Sequence, residues 1–112
     1  MEEWKQVVEA YEISNFGHCR RFTNGKYKEL KGSLMSSNNK TYKLKYFQLI
    51  REGIRINYMF HRLVAEIFLG EIPDGYTIVH IDGNSLNNHV SNLRYISVYQ
   101  LRKNIVSALA TL

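Results

Sequence analysis

The stretch His80-Ile81-Asp82-Gly83-Asn84, followed by Asn87-Asn88 and then Asn92-Leu93, carries most of the information about the fold. Asp-Gly-Asn and the later asparagines are turn formers, because their short side chains hydrogen-bond to the nearby backbone. The histidine that precedes them can gain or lose a proton near neutral pH. The stretch therefore predicts a strand end, an asparagine-rich loop and a candidate acid–base group at their junction.

Residues on both sides of this stretch predict its structural setting. Residues 76–81 and 93–96 are short runs of β-forming residues. Ser97 is a good N-cap for a helix over about residues 98–109. Upstream, residues 61–69 place apolar side chains at helical spacing. The second half of the chain is thus predicted to run helix, strand, loop, strand, helix.

The first sixty residues alternate between β-forming runs and turn signals. Asn24-Gly25 and the segment 51–53 predict tight turns, because both contain residues that accept a positive φ. The runs between the turns predict strands over residues 18–22, 27–35, 41–50 and 54–60. We expect an α+β fold, in which a small antiparallel β module of residues 1–58 packs with a ββα unit of residues 59–112 as one compact body.

Charge is distributed unevenly along the chain, whose formal net charge is +5. Residues 1–12 hold four acids and one base, whereas residues 18–62 hold eleven Lys or Arg against two acids. A basic block interleaved with tyrosines suits a polyanion such as double-stranded DNA, although a solvated basic face has the same composition. The candidate phosphate contacts are Arg20, Arg21, Lys43, Lys45, Arg55 and Arg62.

Composition excludes several classes of protein. The chain has no run of 18 apolar residues, so no membrane span is predicted, and its acidic N-terminus is unlike a signal peptide. A cytoplasmic location is the expectation. The single cysteine, Cys19, excludes an internal disulfide and a cysteine-rich zinc site.

The asparagine-rich stretch resembles the HNH endonucleases of the homing or phage type. These follow a pattern close to His-x-Asp-Gly-Asn, then Asn-Asn, then Asn-Leu, and the segment 80–93 carries these residues in the same order. The preceding segment 61–68 is similar to the helix that commonly leads into the motif. The resemblance implies a ββα-metal fold, DNA as a partner, and a phage or bacterial host cell.

The N-terminal part is similar to the NUMOD4 module that is often joined to such nucleases. That module follows Trp…Tyr-x-(Ile/Val)-Ser-Asn-x-Gly-x-(Val)-(Arg). The matching residues are Trp4, Tyr11, Ile13, Ser14, Asn15, Gly17 and Arg20, with Cys19 in place of the usual valine. Together the two resemblances cover about residues 4–104.

The resemblance implies roles for individual residues. His80 takes the place of the general base that activates water for attack on a phosphodiester. Asn92 takes the place of the asparagine that braces the loop. One divalent ion, Mg²⁺ or Mn²⁺, would stabilise the charge on the reacting phosphate if the protein is active.

Two positions depart from the family pattern. The residue before the histidine is usually Asp or Asn, and here it is Val79. The ligand expected on the final helix falls on Leu101. Because neither side chain can bind a hard cation, cleavage is expected to be impaired or lost. Candidate substitute ligands are Asp82, His89 and Asn104.

Three functional hypotheses follow. The first is a DNA-binding protein on an HNH scaffold with impaired or lost cleavage. The second is an active Mg²⁺-dependent endonuclease or nickase with His80 as base. The third is an inhibitor or regulator that reuses the scaffold to bind a protein partner. A homodimer is compatible with each of them.

Overall fold

The computed structural model describes residues 1–36 and 43–103. This part of the chain contains nine short strands and one complete α-helix. The strands are β1 (Trp4–Val8), β2 (Tyr11–Ser14), β3 (Cys19–Thr23), β4 (Lys26–Leu30), β5 (Ser33–Ser36), β6 (Lys43–Arg51), β7 (Ile54–Met59), β8 (Tyr76–His80) and β9 (Leu93–Ser97). The helix α1 spans Phe60–Phe68, a 3-10 turn spans Val90–Asn92, and residues 98–103 are helical. This α+β architecture confirms the predicted fold class.

The strands form three antiparallel sheets. The first has the order β1-β2-β3-β4, the second β5-β6-β7, and the third consists of β8 and β9. Within each sheet the paired strands are consecutive in sequence, and β8 and β9 are joined by the longer loop of residues 81–92. The turn between β6 and β7 contains Glu52 and Gly53, both at positive φ, as a tight two-residue hairpin requires.

The core lies where α1 packs against the first two sheets. Phe60, Val64 and Ala65 on α1 are fully buried, and they pack with Ile13 of β2 and Phe47 of β6. The helix also contacts β8 and β9. All three sheets are therefore held on one short helix, which fixes the position of β8 relative to the N-terminal strands.

Cys19 is a small buried residue of this core. It is fully buried beside Ile13, and burial raises the pKa of its thiol to about 12. A thiol with such a pKa stays protonated and unreactive at neutral pH. This matches the structural role expected of a single cysteine in a strand.

The boundaries of the elements agree closely with the sequence-based prediction, with two exceptions. Strand β1 was not predicted, because its mixed sequence Trp-Lys-Gln-Val-Val lacks clear alternation. The single strand predicted over residues 27–35 is wrong, since β4 and β5 are separate and belong to different sheets. Gly32 lies between them at φ +72°, and a Cβ there would come within 3.0 Å of the Phe60 ring. The positive φ and the tight contact both favour glycine where the chain leaves one sheet for the next.

One end of each helix carries a recognised capping signal. Gly70, at φ +96°, comes directly after the C-cap Leu69 of α1. Ser97 caps the final helix, with its Oγ accepting a hydrogen bond of 2.9 Å from the backbone N–H of Gln100. No helix among the described residues is long and apolar enough to cross a membrane.

Candidate functional site: the His80 loop and a basic groove

His80 is the last residue of β8 and is almost completely buried. Its Nε2 lies 2.9 Å from the side-chain oxygen of Asn88, which is also buried. An amide oxygen can only accept, so Nε2 of the imidazole carries the proton. The basic nitrogen of the neutral ring is therefore Nδ1. The arrangement gives the general base suggested by the sequence a defined tautomer.

Asn92 and Asp82 fix the loop that follows His80. The Nδ2 of Asn92 donates to Oδ1 of Asp82 at 2.8 Å and to the backbone oxygen of Asn87 at 2.9 Å. Its Oδ1 accepts from the backbone N–H of Asp82 at 2.9 Å. One buried amide thus makes three hydrogen bonds across the base of the loop, the contacts that the predicted bracing role requires.

Asp82 is part of the same network. Hydrogen bonds from the Asn87 side chain, the Asn84 backbone and the Asn92 side chain hold the pKa of its carboxyl below the usual value. All three donors come from within the loop. Asp82 therefore stabilises the loop as an anion.

His61 is a second imidazole beside His80, and it was not among the candidate site residues of the sequence. The two ring centres are 5.4 Å apart. The Nδ1 of His61 is buried and has no hydrogen-bond partner among the described residues. Burial, with smaller contributions from His80 and Arg62, lowers the pKa of His61 to about 4, so this ring is neutral at pH 7.

The positions expected to ligate a metal do not supply suitable donors. Val79 lies in β8 opposite Arg94, and Leu101 lies in the helical segment 98–103. Neither side chain has a donor atom. Within residues 1–36 and 43–103 there is no group of three or more His, Cys, Asp or Glu side chains that could hold an ion. This donor set does not fit a hard divalent cation, which needs several oxygen ligands.

The candidate substitute ligands are engaged elsewhere or lie outside the described residues. Asp82 accepts the three loop hydrogen bonds given above. His89 accepts a hydrogen bond at its Nδ1 from the backbone N–H of Ser91 at 3.2 Å, and its ring stacks on Phe16 at 4.9 Å. Asn104 is outside the described residues.

A basic groove lies on one face of the hairpin formed by β3 and β4. Arg21 and Lys28 are directly opposite each other in the register, and Lys26 lies on the same face. A depression of about 680 Å³ is lined by Arg21, Thr23, Asn24, Lys26, Tyr27, Lys28 and Leu30, with no acidic residue among them. We call these seven residues the basic groove. Lys26 and Lys28 were not among the candidates, although their alternation with Arg21 across the Asn-Gly turn could have indicated them.

The opposite face of the same hairpin is different in charge and in packing. Arg20 lies between the rings of Trp4 and Tyr27, at 4.0 Å and 3.8 Å from the two ring centres. Its guanidinium also pairs with Glu12 at 2.8 Å. These contacts hold Arg20 within the protein, so among the candidate phosphate contacts it is the one most occupied by structural interactions.

The remaining candidates are distributed over two faces of the β6–β7 hairpin and over α1. Lys45 approaches the Phe60 ring on the core side, and Lys43 donates to Ser36 Oγ at 2.7 Å. Arg55 lies opposite Ile50, on the face away from Lys45. Arg62 pairs with Glu66 at 3.1 Å one helical turn away. The six candidates therefore do not form one continuous surface.

Comparison with known proteins identifies the scaffold. Residues 58–102 match the family model of the HNH endonucleases. The chain is 56% identical over 41 residues to an SPbeta prophage-derived putative HNH homing endonuclease of Bacillus subtilis, covering 37% of this chain and 24% of that protein. It is 36% identical over 99 residues to an uncharacterised HNH endonuclease of Acanthamoeba polyphaga mimivirus, covering 83% of this chain and 26% of that protein. The chain thus spans about a quarter of the length of these two relatives.

A solved structure extends the similarity to nearly the whole chain. The structure described as DNA binding and cleavage by the HNH homing endonuclease I-HmuI superposes with a TM-score of 0.68 at 29% identity. The match covers 98% of this chain and 60% of that one. It includes the N-terminal sheet as well as the His80 loop. Taken together with the geometry of the loop, these similarities show that residues 58–102 form an HNH endonuclease-type unit and that the chain shares the scaffold of the I-HmuI structure.

Proposed function

We propose that this protein binds double-stranded DNA on an HNH endonuclease scaffold and that its phosphodiester cleavage is impaired or lost. The observation that carries the second part is the pair Val79 and Leu101, two apolar side chains where the family pattern places metal ligands. His80 keeps a defined tautomer through Asn88, so the base is retained while the expected cation ligands are missing.

The basic groove supports DNA as the ligand. Arg21 and Lys28 face each other across two strands, and like charges in that position destabilise a sheet. A bound phosphate backbone would offset this repulsion, because its negative charges neutralise the two cations. The solved structure of I-HmuI concerns DNA binding and cleavage by that protein, and its similarity extends over this sheet.

A salt titration tests DNA binding by the groove. Affinity for a labelled 30-base-pair duplex is measured by fluorescence anisotropy over a series of NaCl concentrations. We expect log affinity to fall linearly with log salt. Arg21→Ser with Lys28→Ser should make the slope shallower by about 2, because each lost phosphate contact removes about 0.9.

The matched control removes two positive charges from residues outside the basic groove. Lys5→Ser with Arg51→Ser takes two positive charges from outside the groove, since Lys5 lies on the far edge strand β1 and Arg51 pairs with Glu9. This variant should keep the parent slope. Equal slopes for both double variants would refute the groove as the binding surface, and no salt dependence in the parent would favour the protein-partner hypothesis.

An active nickase is the second candidate function, and the intact His80–Asn88 pair favours it. A supercoiled-plasmid assay in Mg²⁺ and then Mn²⁺, with His80→Ala beside the parent, separates the two candidates. Nicking by the parent alone would establish the enzyme and overturn the proposal of lost cleavage. Absence of nicking from both proteins, with retarded DNA on a gel, would support a binding protein.

Further assignments belong to the same proposal. Residues 1–58 are assigned to a NUMOD4-like module and residues 59–112 to the HNH-like unit, which together would form one body. A cytoplasmic location in a phage or bacterial host cell accords with the prophage origin of one relative. A homodimer would double the DNA contact surface, and size-exclusion chromatography with light scattering would detect it.

A further inference from the structure

We propose that the turn of residues 14–18, between β2 and β3, is a positioning element for His80 and acts through Asn88. The N-terminal sheet would then serve the candidate catalytic site as well as the DNA. The inference takes His80 as the scaffold's base, and its test requires neither DNA nor metal.

Gly17 makes the decisive contact with the His80 loop. It has φ +85°, and a Cβ added to it would lie 2.6 Å from the carbonyl carbon of Asn88 and 2.7 Å from its oxygen. Real Cβ atoms essentially never approach backbone so closely. The turn therefore lies directly against the backbone of the residue whose side chain holds His80 at 2.9 Å.

Two further contacts join the same segments on either side of Gly17. The backbone oxygen of Asn15 accepts a hydrogen bond of 2.8 Å from the N–H of Val90. The ring of Phe16 stacks on His89 at a centre distance of 4.9 Å. Three successive residues of the turn thus contact three successive residues of the loop, which fixes the loop in position and in orientation.

The turn is itself held firmly, so it can act as a support. Ser14 is fully buried, and its Oγ accepts from the backbone N–H groups of Phe16 and His18 while donating to Glu2 at 2.7 Å. The backbone N–H of Gly17 donates to the Ser14 oxygen at 3.0 Å. A displacement at Gly17 would therefore move the loop rather than the turn.

A displaced Asn88 would change the state of His80. The amide oxygen of Asn88 accepts the proton on Nε2 and so favours that tautomer. If the oxygen moves away, the Nε2-protonated tautomer loses this stabilising contact, and the share of rings protonated on Nδ1 rises.

The test is Gly17→Ala, with the imidazole nitrogens of His80 observed by long-range ¹H–¹⁵N NMR at alkaline pH. We expect the parent to show a protonated Nε2 and an unprotonated Nδ1 with well-separated shifts. In Gly17→Ala the two shifts should move toward each other. Asn88→Ala should produce the same change, because it removes the acceptor itself.

Gly53→Ala is the matched control. Gly53 has a similar φ of +77° but nothing within 4 Å of an added Cβ, so this variant has the backbone strain without the contact. Its His80 shifts should equal those of the parent. Unchanged shifts in folded Gly17→Ala, or equal changes in Gly53→Ala, would overturn the proposal.

A second variant covers the case in which Gly17→Ala does not fold. Phe16→Leu removes the stack on His89 and introduces no strained φ. It should move the His80 shifts in the same direction by a smaller amount, and unchanged shifts would count against the proposal. Failure of DNA binding or of nicking would leave this outcome intact, because the readout reports only the free protein.

Discussion

The His80 loop and the basic groove are built in opposite ways. In the loop, Asp82 and Asn92 bond to each other, and His80 is held by Asn88. In the groove, Arg21 and Lys28 face each other without an acidic neighbour in the lining. One region satisfies its polar groups internally, and the other leaves its charge for an external ligand.

This difference bears on which of the two activities, cleavage or DNA binding, each region supports. Hydrogen bonds within the loop stabilise the fold whether or not the protein cleaves DNA, so the loop can persist after the loss of metal ligands. The basic groove has no acidic residue in its lining, and a bound polyanion accounts for such a surface. The geometry of the loop is therefore weaker support for cleavage than the groove is for binding.

Restoring the ligands gives the largest expected effect and tests this contrast directly. Val79→Asp with Leu101→Asn places oxygen donors at the two positions of the family pattern. We expect Mg²⁺-dependent nicking of supercoiled plasmid at least about a hundredfold above the parent, since metal stabilisation of the transition state contributes several kcal/mol.

His80→Ala in this double variant is the control, and it should abolish nicking while leaving any Mn²⁺ binding detected by calorimetry. An active parent whose rate does not change on restoration would contradict the assignment of Val79 and Leu101 as lost ligands. It would also show that the loop is still a working site.

The second largest expected effect is a loss of folding stability when the hydrogen bonds of the loop are removed. Asn92→Ala removes the three hydrogen bonds of a buried amide, so the free energy of unfolding should fall by about 3 kcal/mol, roughly 1 kcal/mol for each bond. Urea unfolding followed by circular dichroism measures it. Asn57→Ala, at an exposed residue bonded to Gln48, should cost no more than about 0.5 kcal/mol. Equal losses for the two variants would show that the hydrogen bonds of Asn92 stabilise the fold no more than an exposed hydrogen bond does.

The pH dependence of stability gives the smallest of the three effects. His61 has its pKa lowered to about 4 in the folded protein, whereas an unfolded histidine titrates near 6.5. As the pH falls below 6.5, the unfolded state gains a proton that the folded state does not accept, so stability is lost. Between pH 7 and pH 5 the loss should be about 2 kcal/mol.

His61→Phe should flatten this dependence, and urea midpoints at pH 7, 6 and 5 measure it. Leu69→Met, at the exposed end of α1, is the control, because it changes no titratable group and should leave the slope unchanged. A parent whose midpoint does not move between pH 7 and pH 5 would show that the buried imidazole is not kept neutral by folding.

The sequence predicted most of the fold because most of its signals are local. The Asn-Gly turn, the Ser97 cap and the glycine after α1 each depend on residues a few positions apart. The break between β4 and β5 was missed because it depends on the Phe60 ring, which lies 28 residues beyond Gly32 in the chain. Strand β1 was missed because an edge strand needs little alternation to pair with its neighbour.

For the candidate site, the sequence supplied His80, Asn92, and the absence of donors at Val79 and Leu101. It did not distinguish the candidate cations that line the groove from those held by contacts within the protein. Arg20 and Arg21 are neighbours in sequence, yet one lies between two aromatic rings and the other lines the groove. Alternation in a strand places them on opposite faces, and only the packing of each face distinguishes their roles.

By itself, then, the sequence determined the family motif, the residue types of the loop and the order of most elements, since these depend on residue types at short spacing. Only the tertiary structure decided that Gly17 lies against Asn88 and that His61 lies beside His80. These contacts join segments far apart in the chain. They arise because α1 gathers all three sheets onto one core, a condition of packing that no short stretch of sequence contains.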